Sequence, residues 1–305
     1  MTFSFLETNT NNIVNQNCLD VLLKIPNESV QTVFADPPFN LGKKYNSTKD
    51  NLTDTEYMAW TEQWIRECVR ILKPSGSIFV HNIPKWLVKC TPLLEDIAHF
   101  KHWISWDAPT APMGKSLQPA HYGILFYTKS ATGNTFSEIR YPHKRCRKKK
   151  CNHLLKDYGG KKESIHPFGP LVSDVWTDIH RIKHNKFRDN HPCQLPIHLL
   201  ERIVLMSTNE GDRVFDPFMG TGTTALAAKR LGRKYLGAEI DAEYHASALS
   251  KLNKEDFVSC LNNTWVGMYR GQVISLRNSD WKTLQDHYLI PKNRKEVDFT
   301  NIKLK

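Results

Sequence analysis

The chain has 305 residues, of which 40% are hydrophobic and 24% charged, which suits one large α/β domain or a domain that carries an inserted module. The sequence contains no run of the roughly 18 to 20 apolar residues that a membrane-spanning helix needs, and residues 1–12 lack the pattern of a signal peptide. We therefore expect a cytoplasmic protein with no membrane partner. Seven cysteines, an odd number, argue against a secreted disulfide framework.

Most of the net charge of +11 lies in one segment. Residues 140–190 contain 14 Lys and Arg against 5 Asp and Glu. Like charges gathered in one place favour an anionic partner, and nucleic acid is a better candidate than a membrane surface. A solvated lysine-rich loop is the alternative.

Strands and helices alternate along both ends of the chain. The apolar patterns predict strands at 13–15, 32–35, 77–80, 102–106, 123–127, 213–215 and 234–238. They predict helices at 54–72, 85–100, 195–207, 222–231 and 242–252. This alternation indicates a doubly wound, mostly parallel α/β sheet.

The alternation divides the chain into a core and two further segments. We assign 1–108 and 196–253 to the core, and 109–195, where proline, glycine, histidine and basic residues dominate, to an inserted module outside the central sheet. The C-terminal extension 254–305 has no predicted role, although 271–276 reads as a strand.

A glycine-rich turn joins the predicted strand 213–215 to the helix that follows it. Gly220 and Gly222 allow a tight turn and the close approach of a ligand to the backbone, and the free N–H groups of the helix start favour an anionic group. The lysine of a phosphate-binding loop and the third glycine of a dinucleotide fingerprint are both missing. Glu239 ends the next strand and suits the hydroxyls of a ribose. The turn thus indicates a nucleoside-containing cofactor, with a plain glycine turn and a surface glutamate as the alternative.

A second turn, Asp36-Pro37-Pro38-Phe39, directly follows the predicted strand 32–35. Two prolines fix the backbone and remove two N–H groups, so the turn presents acceptors without competing donors. An exocyclic amino group of a base needs such acceptors, because its lone pair is delocalised into the ring. The Asp36 carboxylate and the Pro37 carbonyl would orient that lone pair, and Phe39 would offer a face on which an extruded base stacks.

Together these two motifs resemble those of the amino-methyltransferases of nucleic acids. The order of catalytic motif, basic module and cofactor motif is similar to the beta class of these enzymes, and further similarity at 57–76 and 191–212 extends the resemblance to about two thirds of the chain. The resemblance implies a seven-stranded, Rossmann-like methyltransferase sheet and S-adenosylmethionine as cofactor. It implies as catalytic residues Asp36, Pro37, Pro38 and Phe39. It implies as cofactor-binding residues Asn17, Cys18, Asp36, Asp216, Phe218, Gly220, Gly222, Thr223 and Glu239.

Two positions depart from the pattern of this family. Asn17 stands where beta-class chains usually carry an aspartate; its amide oxygen can still accept from the adenine amino group of the cofactor, and Asp20 is the alternative equivalent. Leu195 stands where many relatives have lysine, so a cationic side-chain contact is not expected there.

The family places its target-recognition region in the segment that forms the basic module here. Phosphate contacts would give strong, salt-dependent affinity for duplex DNA with little sequence preference. We assign these contacts to Lys144, Arg145, Arg147, Lys148, Lys149 and Lys150. Cys146 and Cys151 have a spacing that zinc tolerates, but no second cysteine pair follows. We therefore expect free thiols and no metal.

The predicted reaction is site-specific methylation of the N6 amino group of adenine in double-stranded DNA. The alternative is N4-cytosine methylation, whose turn more often begins with Ser; an RNA methyltransferase and a non-catalytic DNA-binding relative are weaker alternatives. The resemblance also allows a cognate restriction endonuclease as partner and a homodimer.

Overall fold

The computed structural model describes residues 4–43, 50–108, 117–140, 171–182, 194–254, 278–297 and 303–304. The chain divides into two compact units. One contains Met1–Phe136 and Asp174–Cys260, and the other contains Ser137–Ser173 and Leu261–Lys305. The described part contains no helix that is both long enough and apolar enough to cross a membrane.

The first unit is built from alternating strands and helices. Its helices are α1 (Phe5–Thr8), α2 (Cys18–Leu22), α3 (Asp54–Ile71), α4 (Pro84–Glu95), α5 (Ile197–Ser207), α6 (Thr223–Arg230) and α7 (Ala242–Lys254). Its strands are β1 (Asn12–Val14), β2 (Val30–Ala35), β3 (Leu72–Asn82), β4 (His99–Asp107), β5 (His121–Thr128), β6 (Val175–Trp176), β7 (Arg213–Asp216) and β8 (Lys234–Ala238). In the second unit, α8 (Asn278–His287) leads into β9 (Tyr288–Leu289), which pairs antiparallel with β10 (Lys303–Leu304).

The eight strands of the first unit form one sheet in the order β1-β8-β7-β2-β3-β5-β4-β6. Five of its pairs are parallel, and β5 runs antiparallel to both of its neighbours. The predicted doubly wound, mostly parallel sheet is confirmed. It has one strand more than the expected seven because the two-residue β6 pairs with the edge of β4.

Helices cover both faces of this sheet. Phe215 and Leu236 point into a core that holds side chains of α2, α3 and α4. The preceding residues Val214 and Tyr235 point into a second core with side chains of α6 and α7. Successive side chains of a strand face opposite sides of a sheet, so the two groups of helices lie on opposite faces.

The predicted module boundary is wrong in one respect. β5 and β6 lie within 109–195 but belong to the sheet, because 121–128 pairs along its length with β3 and β4, and 175–176 pairs with β4. The apolar residues of β5 are buried between these neighbours. A role of the remaining segment in target recognition stays a prediction.

Two predicted boundaries also differ from the structure. The helix predicted at 85–100 ends at Glu95, because 99–107 is held as β4 by pairing with β5. β3 starts at Leu72, directly after α3, and not at residue 77. Its register against β2 shifts between Leu72 and Ser77, so the Lys-Pro-Ser-Gly turn is accommodated within the strand. The strand predicted at 271–276 lies outside the described residues.

Candidate active site

A cavity of about 420 Å³ opens at one edge of the sheet. It is lined by the segments that follow β1, β2, β7 and β8, which all run in the same direction, so their carboxyl ends meet there. β2 and β7 are direct neighbours, with Thr32 opposite Val214 and Val33 opposite Phe215. The two motifs, some 180 residues apart in the chain, thereby face one cavity. Of the predicted site residues, it is lined by Asn17, Cys18, Asp36, Pro37, Pro38, Phe39, Asp216, Phe218, Gly220, Thr223 and Glu239.

Of the predicted catalytic and cofactor-binding residues, only Gly222 does not line the cavity. It caps α6 with a φ of 82°, in the left-handed region that favours glycine. A Cβ atom there would lie 2.9 Å from the Cβ of Ala248 on α7. The prediction that this glycine starts the helix is confirmed, and the structure gives it a role in packing α6 against α7.

The Glu239 carboxylate organises the glycine turn from the neighbouring strand end. Its Oε2 accepts from the backbone N–H of Gly220 at 2.7 Å, and its Oε1 accepts from the N–H of Asp241 at 2.8 Å. Burial raises the pKa of this carboxyl above its ordinary value. Each carboxylate oxygen accepts more than one hydrogen bond, so these contacts leave capacity for a ligand's hydroxyl groups.

Asp216, at the end of β7, is buried behind the glycine turn. Its Oδ1 accepts from the N–H of Phe218 at 2.8 Å and its Oδ2 from the hydroxyl of Thr224 at 2.5 Å. Burial, together with the smaller effect of the nearby Asp36 and Glu239 charges, raises the pKa of Asp216 from 3.8 to about 7. A ligand that brings positive charge into the cavity would favour the carboxylate form of this side chain.

Acidic side chains dominate the charged residues of the cavity wall. These are Asp36, Asp50, Asp216, Glu239 and Asp241. Among the residues that the structure describes, no lysine, arginine or histidine lines it. The charge of this wall is negative, whereas the net charge of the whole chain is +11. A negatively charged wall suits a ligand with cationic groups.

The segment after β1 contributes Asn17 and Cys18. The amide oxygen of Asn17 caps α2 by accepting from the N–H of Leu19 at 2.9 Å, so its side chain is fixed at the cavity wall. Cys18 is buried, and burial raises its pKa to about 12, which leaves a thiol and no nucleophilic thiolate. Asp20, the alternative to Asn17, is exposed and does not line the cavity.

The Asp-Pro-Pro-Phe turn is held rigidly from behind. The phenol of Tyr57 donates to the Pro38 carbonyl at 2.6 Å, and the indole N–H of Trp86 donates to the Phe39 carbonyl at 2.6 Å. The amide of Asn82 donates to the Tyr57 oxygen at 3.1 Å. No described residue donates to the Pro37 carbonyl, so this acceptor is left available on the cavity wall.

One carboxylate oxygen of Asp36 is also held by a hydrogen bond from a buried side chain. Its Oδ1 lies 2.7 Å from Nδ1 of His81, a side chain that is almost fully buried. Among the described residues, none donates to Oδ2 of Asp36. The turn therefore presents two unengaged acceptors, Oδ2 of Asp36 and the carbonyl oxygen of Pro37.

Phe39 is more enclosed than a free stacking platform would be. It is 6% exposed, and its ring centroid lies 5.5 Å from that of His81 and 5.7 Å from that of Tyr122. Phe39 is among the residues that line the cavity. An extruded base would meet an aromatic surface that its neighbours already hold in place.

Four residues support the turn and were not predicted from the sequence: Tyr57, His81, Asn82 and Trp86. The sequence contains a weak signal for two of these residues. His81 and Asn82 are polar residues that follow the apolar run 78–80 at the end of a strand, and in a parallel sheet this end faces the site. The predicted DNA-binding residues 144–150 lie outside the described part of the chain.

Comparisons with known proteins agree with this arrangement. The family model N6_N4_Mtase, described as DNA methylase, matches residues 30–250. The chain is 41% identical over 238 residues to the type II methyltransferase M.BamHI of Bacillus amyloliquefaciens. The aligned residues cover 77% of this chain and 56% of that protein. The chain therefore spans little more than half the length of that relative.

Two further proteins bear on the reaction and on the fold. The DNA adenine methyltransferase YhdJ of Escherichia coli (strain K12) is 33% identical over 251 residues, which cover 79% of this chain and 82% of that protein. The solved structure of the cytosine-N4-specific PvuII DNA methyltransferase has 20% sequence identity and a TM-score of 0.58, with coverage of 82% of this chain and 90% of that chain. At this identity, the second comparison supports the fold alone.

Proposed function

This chain belongs to the N6/N4 family of DNA methylases, which depend on S-adenosylmethionine, and we propose that it methylates an exocyclic amino group of a base in double-stranded DNA. The observation that carries the proposal is the pair of unengaged acceptors, Oδ2 of Asp36 and the Pro37 carbonyl, in the wall of a cavity that the glycine turn also lines. This reaction requires hydrogen-bond acceptors for the target amine and a binding site for the nucleoside part of the cofactor, and both line this cavity.

The cavity wall fits S-adenosylmethionine in charge. The cofactor carries a sulfonium and an ammonium group, and the charged side chains of the described wall are all acidic. We assign the ribose hydroxyls to Glu239, the adenine amino group to Asn17 and the methionine end to the turn at Gly220. Bound there, the cofactor supplies an electron-poor methyl group.

The residues of the catalytic turn act on the amine. Oδ2 of Asp36 and the carbonyl oxygen of Pro37 each accept one amino hydrogen, which directs the nitrogen lone pair out of conjugation with the ring. Phe39 holds the plane of the extruded base. The amine nitrogen would form its bond to the methyl carbon as the methyl–sulfur bond breaks and the thioether leaves, and one amino proton would be lost through Oδ2 of Asp36. No covalent intermediate with the protein is needed, so catalysis depends on orientation and on acceptor strength.

The proposed target is the N6 amino group of adenine, with N4 of cytosine as the alternative. The aspartate that begins the turn and the similarity to YhdJ, a named adenine methyltransferase, support adenine. Both amines have the same geometry at nitrogen, so the turn itself serves either base. Identification of the methylated nucleoside decides between them.

The proposed biological role of the protein is DNA methylation in a restriction–modification system. The basic segment 144–150 contacts DNA phosphates, and the similarity to a type II methyltransferase supports a role in restriction–modification beside a cognate endonuclease. We also propose that the protein is cytoplasmic and forms a homodimer.

The test is incubation of the protein with plasmid DNA and S-adenosylmethionine labelled in the methyl group. Digestion to nucleosides and mass spectrometry should yield N6-methyladenine. Asp36→Ala should transfer almost no methyl groups, because one of the two acceptors is gone, while calorimetry should still detect cofactor binding. Asp96→Ala, which removes an exposed carboxylate outside the cavity, is the control for loss of charge. Near wild-type turnover of Asp36→Ala would refute the mechanism, and label in N4-methylcytosine would correct the target base.

A further inference from the structure

The end of β3 brings a buried histidine against the catalytic turn. β2 and β3 are parallel, with Ala35 opposite Val80. The residue that follows Ala35 is Asp36, and the residue that follows Val80 is His81, so the two lie side by side. Nδ1 of His81 lies 2.7 Å from Oδ1 of Asp36, a short distance that is typical of a hydrogen bond to a carboxylate.

The direction of this hydrogen bond follows from its chemistry. A carboxylate oxygen only accepts, so the hydrogen must lie on Nδ1 of His81. The other ring nitrogen, Nε2, is buried and has no hydrogen-bond partner among the described residues. An Nε2 without hydrogen is the less costly state there, since a buried donor without an acceptor would lose its hydration and gain nothing. The neutral ring with hydrogen on Nδ1 satisfies both conditions.

Aromatic rings hold the imidazole in this orientation. Four of them surround it, with centroids 5.3 to 6.5 Å from that of His81: Phe34, Phe39, Trp106 and Tyr122. His81 is 1% exposed, so water does not compete for Nδ1. The packing of these rings therefore fixes the direction of the Nδ1–H bond.

The carboxylate of Asp36 is the less constrained partner of this pair. Its side chain is 17% exposed at the cavity, and without the imidazole its plane would turn freely and both oxygens would be hydrated. With Oδ1 engaged, only Oδ2 remains for the amino group. The hydrogen bond thus fixes both the plane of the carboxylate and the identity of the oxygen that accepts.

We propose that His81 is a positioning residue, which sets the Asp36 carboxylate in the orientation that polarises the target amine; this inference rests on the methyl transfer proposed above. The imidazole touches neither the base nor the cofactor. Its effect belongs in the rate of methyl transfer, and cofactor affinity is set elsewhere in the cavity.

Two variants of similar shape separate the donor from the packing. In His81→Asn the amide nitrogen occupies the place of Nδ1 and can donate to Asp36. His81→Leu has the same branching at Cγ but no donor, and both variants leave a similar gap among the aromatic rings. The measurements are the single-turnover rate of methyl transfer at saturating DNA and the cofactor Kd from calorimetry.

His81→Leu should lose on the order of 10- to 100-fold in the transfer rate, as is typical when the orienting partner of a functional group is removed. Its cofactor Kd should stay as in wild type. His81→Asn should recover most of the rate. In an Asp36→Ala background, His81→Leu should cause no further loss, because the residue through which it acts is gone. Equal rates of the Leu and Asn variants, or an undiminished effect without Asp36, would overturn the inference.

A second measurement does not depend on activity. Long-range ¹H–¹⁵N correlation spectra of the imidazole nitrogens should show His81 as the tautomer with hydrogen on Nδ1 in the wild type. A spectrum with hydrogen on Nε2 alone would exclude the hydrogen bond to Asp36. If the wild type methylates no DNA while this tautomer is observed, the proposed function fails and the pairing of the two side chains stands.

Discussion

The phenol of Tyr57 donates to the Pro38 carbonyl and also accepts from the Asn82 amide, so one hydroxyl group links α3, the Asp-Pro-Pro-Phe turn and the end of β3. Burial raises the pKa of Tyr57, which keeps the hydroxyl protonated and able to donate. The position of the turn therefore depends on a side chain that takes no part in the chemistry.

Tyr57→Phe should destabilise the protein by about 1 to 3 kcal/mol, because it leaves the Pro38 carbonyl and the Asn82 amide without this partner in a buried place. Methyl transfer should slow in parallel, since the turn loses one of its supports. Urea denaturation and a turnover assay measure the two effects. The matched control is Tyr235→Phe, since the Tyr235 hydroxyl makes no hydrogen bond to a described residue. Equal effects of the two substitutions would contradict the structural role given to Tyr57.

The raised pKa of Asp216 should make both stability and cofactor binding depend on pH. Between 3.8, its ordinary value, and about 7, the folded protein holds a proton that the unfolded chain has released. This contribution to stability is therefore complete below 3.8 and is lost as the pH rises to about 7. A sulfonium cation in the cavity favours the carboxylate form and lowers the pKa.

Binding of S-adenosylmethionine near pH 7 should consequently release protons, and the affinity should increase with pH below that point. Each unit by which the pKa falls on binding corresponds to about tenfold in affinity at high pH. Calorimetry in two buffers of different ionisation enthalpy measures the released protons. Asp216→Asn should remove most of the release, and what remains would belong to Glu239, whose pKa is also raised. Equal heats in both buffers would show that the cofactor does not sense these carboxyls.

Substitutions at two glycines with the same φ can separate the cost of backbone strain from the cost of a steric clash. Gly211 and Gly222 both have a φ of 82°, but a Cβ atom at Gly211 would meet nothing within 4 Å. Gly211→Ala should therefore lose about 1 to 3 kcal/mol from the left-handed backbone alone. Gly222→Ala should lose about 1 to 3 kcal/mol more, because its methyl group meets Ala248.

The same pair tests the function of Gly222. Since Gly222 does not line the cavity, the cofactor Kd of the folded Gly222→Ala protein should change little. A large rise in that Kd, with only the stability loss of Gly211→Ala, would return Gly222 to the cofactor site. Chemical denaturation and calorimetry on both variants provide the comparison.

The basic segment 144–150 should govern the salt dependence of DNA binding. Replacement of its six Lys and Arg residues by Gln should lower the slope of log K against log salt by about 0.9 for each DNA phosphate that is no longer neutralised. Replacement of its four lysines by Arg keeps the charge and should preserve the slope. Fluorescence anisotropy at several salt concentrations measures both, and an unaltered slope in the Gln variant would identify a solvated loop.

The sequence predicted the alternating strands and helices and both motifs, because these depend on local patterns. That the motifs serve one site was implied by the family resemblance. β2 reads as an apolar run that ends in Asp36, and a glycine turn between a strand and a helix can be recognised from a few residues. It did not predict that β5 returns to the sheet, since antiparallel pairing within a predicted module leaves no local signal. The roles of His81 and Tyr57 were missed for a related reason: each depends on a partner that only the strand register and the helix packing bring near.

The direct pairing of β2 with β7 makes the site independent of the path that the chain takes between them. Val33 pairs with Phe215 between neighbouring strands, and the backbone hydrogen bonds of this pairing do not depend on how the chain connects the two strands. A circularly permuted gene, in which β7, α6 and β8 preceded β2, would bring the same two turns to the same cavity. The chemistry of the site therefore does not depend on the order of the two motifs along the chain.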